Sequence, residues 1–174
     1  MTATYGQAVE VPWASALADY RCFGCSPHNP HGLQLTFLTH PDGLESRFCL
    51  DRTFESYPGV VHGGVISTVC DETMGNLIVL QEGRSAFTVG LRLRFLSPLA
   101  IGQQYRCVAK LRADGDLYHG SCEVVDDAGV LLVTATGMYQ PVDMERAREH
   151  MHLTDQESES LRRSLSQSTQ QNGA

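Results

Sequence analysis

The stretch Tyr57-Pro-Gly-Val-Val-His-Gly-Gly-Val-Ile-Ser-Thr-Val-Cys-Asp71 decides how the rest of this chain is read. A Pro-Gly turn leads into a short β-branched run, then a histidine and two glycines, and then a long apolar helix begins. Consecutive glycines at a helix start let another group come close to bare backbone N–H donors. Those donors also sit at the positive end of the helix dipole. Asp71 is the first carboxylate of the helix, about two and a half turns in. A place for a developing oxyanion, with an acid further along the same helix, suggests acyl chemistry.

Working outward, the helix is expected from about Gly64 to Gln81. Ile66, Val69, Cys70, Thr73, Met74, Leu77 and Ile78 recur with helical spacing and form a core stripe. Asp71 lies off that stripe, and its neighbours one turn away are the small residues Ser67, Thr68 and Gly75. Glu82-Gly83 supplies the stop signal. Glu72 reads as a charge on the helix surface, because adjacent helix residues face different directions.

Upstream, Leu33 to Leu38 and Leu44 to Leu50 read as strands joined by the turn His40-Pro-Asp-Gly43. Downstream, strands are expected over Ala86 to Leu96, Gln103 to Ala113 and Leu117 to Gln140, the last split in two by Asp126-Asp-Ala-Gly129. Asp114-Gly115-Asp116 is a tight hairpin turn. Leu91, Leu93 and Phe95 alternate with Arg92 and Arg94, the period-2 pattern of a half-buried strand. Hairpin, long helix and antiparallel meander imply an α+β fold, with a curved sheet wrapped around one central helix. Residues 8–20 carry a loose helical pattern around Val11, Trp13, Leu17 and Tyr20. Cys22 to Gly32 reads as an irregular loop. Past Pro141 the chain turns polar; a surface helix is expected over Asp143 to Ser164 and disorder from Gln167. The division is therefore 1–32 for an N-terminal helix and loop, 33–141 for the main domain, and 142–174 for the tail.

At 174 residues, with 42% apolar and 19% charged residues, the chain suits one globular domain. A net charge of −7 argues against nucleic acid as a partner. No apolar run reaches membrane-spanning length and no signal peptide is visible, so a cytoplasmic protein is expected. The six cysteines are scattered, and buried free thiols are the expected state for most of them.

His62-Gly63-Gly64 with an acid at Asp71, ahead of such a meander, resembles the PaaI-like branch of the hotdog-fold acyl-CoA thioesterases. Cys22-Phe-Gly-Cys-Ser-Pro-His-Asn-Pro-His-Gly-Leu33 and Leu91-Arg-Leu-Arg-Phe-Leu-Ser-Pro98 extend the resemblance, which covers roughly Cys22 to Tyr139. It implies homodimers, or homotetramers built from them, with active sites at the dimer interface. It also implies hydrolysis of acyl-CoA to a carboxylic acid and coenzyme A, with no cofactor beyond the substrate's own coenzyme A. In that reading the Gly63 N–H polarises the thioester carbonyl, and Asp71 of the other subunit is general base or nucleophile. Thr88 positions water or the acid, and His62 holds the turn and lines the carbonyl pocket. Gly64, Ser56, Arg92 and Arg94 are the candidate substrate contacts, although the two arginines read equally as solvated strand residues. Many relatives carry Asn or Gln shortly before the HGG; here Glu55 and Ser56 stand in that place.

Two other classes of function, a second enzyme and a binding module, compete with this reading. A dehydratase or hydratase on the same fold would pair His62 with Asp71 as acid and base, but no Asp-x-Asn-x-x-His stretch is present. A non-catalytic acyl-CoA sensor would need a DNA-reading helix-turn-helix, for which the N-terminal segment offers nothing. Cys22-x2-Cys25 with His28 and His31 raises a zinc site. Four ligands in so short a stretch would crowd one ion, so no metal is expected and the loop is read as packing over the acyl pocket.

Overall fold

The computed structural model describes the backbone of residues 5–172 and the side chains of residues 5–167. The chain order is β1 (Ala8–Val9), α1 (Pro12–Ala16), β2 (Thr36–His40), β3 (Gly43–Cys49) and α2 (Gly63–Glu82), followed by β4 (Ser85–Phe95), β5 (Gln104–Asp114), β6 (Leu117–Asp126), β7 (Leu131–Val142), α3 (Met144–Met151) and α4 (Asp155–Asn172). The seven strands form one sheet in the order β1-β2-β3-β5-β6-β7-β4, and every pair is antiparallel. The sheet curves around α2, as the meander and single long helix require.

Helix α2 starts where the polar cap His62 meets Gly63 and ends at Gly83, which takes a left-handed conformation (φ 61°) and returns its N–H to the Val79 carbonyl. Its inner face is closed: Val69, Cys70, Met74 and Ile78 have no exposed surface and pack with Leu44, Cys107, Ala109, Val124 and Val133 of the sheet. A polar pair inside this contact is satisfied, with the Ser46 and Thr73 hydroxyls 2.9 Å apart.

Strand β4 closes one edge of the sheet and pairs only with β7. Its register slips between Thr88 and Gly90, so Val89 is the extra residue of a bulge. The bulge sets which side chains face α2. Thr88 stands opposite Tyr139, and beyond Val89 the inward series continues with Leu91, Leu93 and Phe95 opposite Gly137, Ala135 and Val133. Arg92 and Arg94 take the other face.

Both flanks depart from expectation. The pattern over residues 8–20 gives a helix only at Pro12–Ala16; Trp13 and Tyr20 instead stack on each other with ring centres 6.3 Å apart. Helical spacing here marks residues that pack, within a turn-rich segment. The polar tail holds two helices, broken at His152 in a left-handed conformation, and α4 runs on through Asn172 where disorder was expected from Gln167; Gly173 and Ala174 lie outside the described residues. Leu161 and Leu165 of α4 are buried with Ala16 and Val79, so the tail and the N-terminal helix together cover the outer side of α2's second half.

Candidate active site

The start of α2 is built around His62. Its Nδ1 accepts the Gly64 N–H at 2.9 Å, and its carbonyl accepts the Val65 and Ile66 N–H groups, so the residue is the N-cap. This assigns His62 to holding the turn. It also commits the Gly64 N–H within the chain. The Gly63 N–H makes no hydrogen bond among the described residues. Gly63 borders a cleft of about 370 Å³ together with Ser56, Tyr57, Ile66 and Phe95. Glu55, by contrast, accepts the Gly59 N–H at 2.6 Å and Arg52 at 3.4 Å, which ties it to the preceding turn. Of the two residues standing where relatives carry an amide, only Ser56 opens on the Gly63 cleft.

Asp71 is held elsewhere. Its Oδ1 accepts two hydroxyls, Thr88 Oγ1 at 2.9 Å and Tyr139 OH at 3.0 Å. Oδ2 has no partner among the described residues. Burial, then the charge of Asp71 beside it, keeps the Tyr139 phenol above its usual pKa, so it remains a donor. Tyr139 is aimed by its neighbour: its ring lies over Gly137, where a Cβ would come within 2.6 Å of the ring. The acid, Thr88, Tyr139, Gly75 and Glu72 line a second, smaller cleft of about 170 Å³. Within one chain, then, the free N–H and the free carboxylate oxygen open on different clefts. Eight residues of helix between them amount to about 12 Å.

Arg92 and Arg94 stand on the sheet face turned away from α2. Arg92 borders a separate outer cleft with Lys110, Arg112 and His119. The structure does not bring either arginine to Asp71 or Gly63 of its own chain.

Two residues escaped the sequence reading. Tyr139 sits 68 positions from its acid, and only the β4–β7 register reveals the pairing. Glu72 is no surface charge: it is half-buried, accepts the Cys22 thiol at 3.2 Å and the Asn76 amide at 3.1 Å, and burial, with the Cys22 sulfur next, pushes its pKa up to about 8. His28 and His31 are exposed and stand apart from Cys22 and Cys25, so the four-ligand arrangement considered from the sequence does not form. The other cysteines behave as expected except Cys49, which is exposed; Cys70, Cys107 and Cys122 lie together in the core.

Residues 58–133 match the thioesterase superfamily. That segment runs from the turn before His62 to the start of β7. No curated protein matches the chain. Among solved structures, a thioesterase superfamily protein superposes with a TM-score of 0.61 at 21% identity over 66% of this chain, which spans 57% of that protein's length. A phenylacetic acid degradation-related protein from Ralstonia eutropha JMP134 is 27% identical, with a TM-score of 0.58 over 67% of this chain and 92% of that one. The smu.793 protein from Streptococcus mutans UA159, solved bound to acetyl CoA, is 20% identical, with a TM-score of 0.59 over 72% of this chain and 95% of the other. The fold is the hotdog.

Proposed function

From a chain that carries thioesterase-superfamily sequence over residues 58–133 on a PaaI-like hotdog fold, we propose that the protein hydrolyses acyl-CoA thioesters at a site shared between two copies. The observation that carries this reading is the state of Asp71: one oxygen fixed by two hydroxyls, the other without a partner among the described residues, beside a cleft.

Two hydroxyl donors hold the carboxylate in one orientation and leave Oδ2 to act. In the general-base form, Oδ2 takes a proton from water as its oxygen adds to the thioester carbon. The carbonyl oxygen gains the charge and accepts the N–H of Gly63 from a second copy. Collapse of that adduct breaks the carbon–sulfur bond, and the proton on Asp71 passes to the leaving thiolate. In the nucleophilic form, Oδ2 attacks the carbon itself, the carbon–sulfur bond breaks with departure of the coenzyme A thiolate, and water then hydrolyses the anhydride to the free acid and the Asp71 carboxylate. A single turnover in ¹⁸O-water separates the two, because only the second leaves label in the enzyme carboxylate.

A second copy enters because Gly63 and Asp71 of one chain cannot both reach one carbonyl: reacting atoms must approach within about 3–3.5 Å. Strand β4 offers the means. Its outer edge pairs with no strand among the described residues, and Val89, Leu91 and Phe95 along it are exposed. Antiparallel pairing of two β4 strands would set two α2 helices side by side and bring each Asp71 toward the other copy's Gly63. The complex of smu.793 with acetyl CoA supports a coenzyme A thioester as the ligand class. His62, with Nδ1 occupied as a cap, gives no support to the hydratase alternative.

The test is release of coenzyme A from short, branched, long and aromatic acyl-CoAs, followed by chromatography. Turnover of at least one class is expected. Absence of release from all of them, by a protein shown to be dimeric, would overturn the proposal.

A further inference from the structure

The loop at Cys22–Gly32 meets α2 at Glu72, one residue after the acid. There the Sγ atoms of Cys22 and Cys25 and a carboxylate oxygen of Glu72 all lie within 4.8 Å of one another. The Cys22–Glu72 contact is 3.2 Å. Around a tetrahedral zinc ion, with Zn–S of about 2.3 Å and Zn–O of about 2.0–2.2 Å, neighbouring ligand atoms stand about 3.4–3.8 Å apart. The three atoms are thus at ligand spacing or within about 1 Å of it.

Each ligand also has an outer partner that fixes it. The Gly24 N–H donates to Cys22 Sγ at 3.3 Å, and the Tyr20 hydroxyl lies 3.3 Å from Cys25 Sγ. Asn76 donates to the second oxygen of Glu72 at 3.1 Å, and is itself held by the Trp13 indole N–H at 3.2 Å. Outer-shell contacts of this kind orient metal ligands. The backbone is shaped to the carboxylate as well. A Cβ at Gly24 would lie 2.1 Å from Glu72 Cγ, so only glycine lets the loop settle on that side chain. A cleft of about 680 Å³ bordered by Cys22, Glu72, Tyr20 and Asp19 leads to the site and leaves room for water as a fourth ligand.

We propose that Cys22, Cys25 and Glu72 form a three-ligand site for a divalent d¹⁰ cation, zinc by preference, which fastens the N-terminal loop to α2. Two thiolates with one carboxylate favour zinc over the harder magnesium and calcium ions. The site differs from the Cys/His arrangement considered from the sequence, because its third ligand comes from the helix that carries Asp71.

Cobalt is the probe. Reduced protein, cleared of metal by a chelator, is titrated with Co²⁺ and then with Zn²⁺. One equivalent of cobalt is expected to produce a thiolate-to-cobalt charge-transfer band with the visible bands of a four-coordinate ion, and zinc is expected to erase both. Cys22→Ser/Cys25→Ser should abolish the bands, and Cys49→Ser should keep them. Glu72→Gln should weaken binding by more than the roughly 10–100-fold that loss of an outer-shell partner costs. If the double variant does not fold, alkylation of the unmodified protein decides: zinc should protect Cys22 and Cys25 while Cys49 reacts. The proposal is overturned by absence of the bands in reduced protein, by bands that survive in the double cysteine variant, or by zinc that protects neither cysteine.

Discussion

The two ends of the chemistry on α2 are built in opposite ways. At its first turn a donor is left over: His62 caps Gly64 and the Gly63 N–H stays unpaired. Two turns later an acceptor is held: Asp71 is gripped by Thr88 and Tyr139 from the sheet. The first arrangement is local, made by residues adjacent in sequence. The second is tertiary, made by three elements meeting across the α2–sheet contact. A spare donor and a fixed acceptor on separate clefts of one chain are what a site completed by a second copy requires. The difference teaches that the donor tolerates changes elsewhere in the fold, whereas the acceptor depends on strand register.

Asp71→Asn removes the proton acceptor and keeps the shape. Thioester hydrolysis should fall by about 10²–10⁴, with the dimer intact by light scattering. Near-normal turnover would take the acceptor out of the comparison altogether. At the donor end, Gly63→Pro deletes the N–H at a first helical position where proline fits. His62 already has the extended backbone (ψ 130°) that a following proline demands. Activity should drop by roughly 10²–10³, the usual cost of one oxyanion donor. Mixing the two variants should restore activity through heterodimers holding one intact site. Continued inactivity, with heterodimers verified by mass, would place donor and acceptor in the same chain.

The grip on Asp71 is tested more gently. Tyr139→Phe should cost roughly 10- to 100-fold in kcat, since a hydrogen bond to a charged group contributes about 1.5–3 kcal/mol. Thr88→Ala, at an exposed position, should cost only about two- to tenfold, from about 0.5–1.5 kcal/mol. Reversal of that order would mean that the buried hydroxyl serves packing and the exposed one the reaction. Arg92→Ala faces away from both clefts of its own chain, and KM for acyl-CoA should stay within about twofold, the usual range of about 0.5 kcal/mol for surface changes. A larger rise would return the outer sheet face to the site.

Much of this was legible in the sequence. Gly63-Gly64 and Glu82-Gly83 mark the helix ends to within a residue, and the Asp-Gly turns and alternating strands give the meander. Asp71 stood out because its helix neighbours are small. What stayed hidden depends on distance along the chain. Tyr139 reads as one more alternating strand residue until the register sets it against Thr88. Glu72 looks solvated until the Cys22 loop is seen to lie on it. In the tail, polar composition masks Leu161 and Leu165, whose spacing of four is all the apolar stripe a covering helix needs.

The bulge at Val89 makes the aim of Thr88 a matter of counting. Val89 is skipped by the ladder; were it paired, with the downstream register kept, every residue upstream of it would shift by one position and change face. Val89 would then stand opposite Tyr139 in place of Thr88, and Thr88 would move opposite Gln140 on the outer face. The hydroxyl grip on the acid therefore rests on the ladder skipping Val89, and a change that drew this residue into the pairing would lose the grip while retaining every residue that forms it.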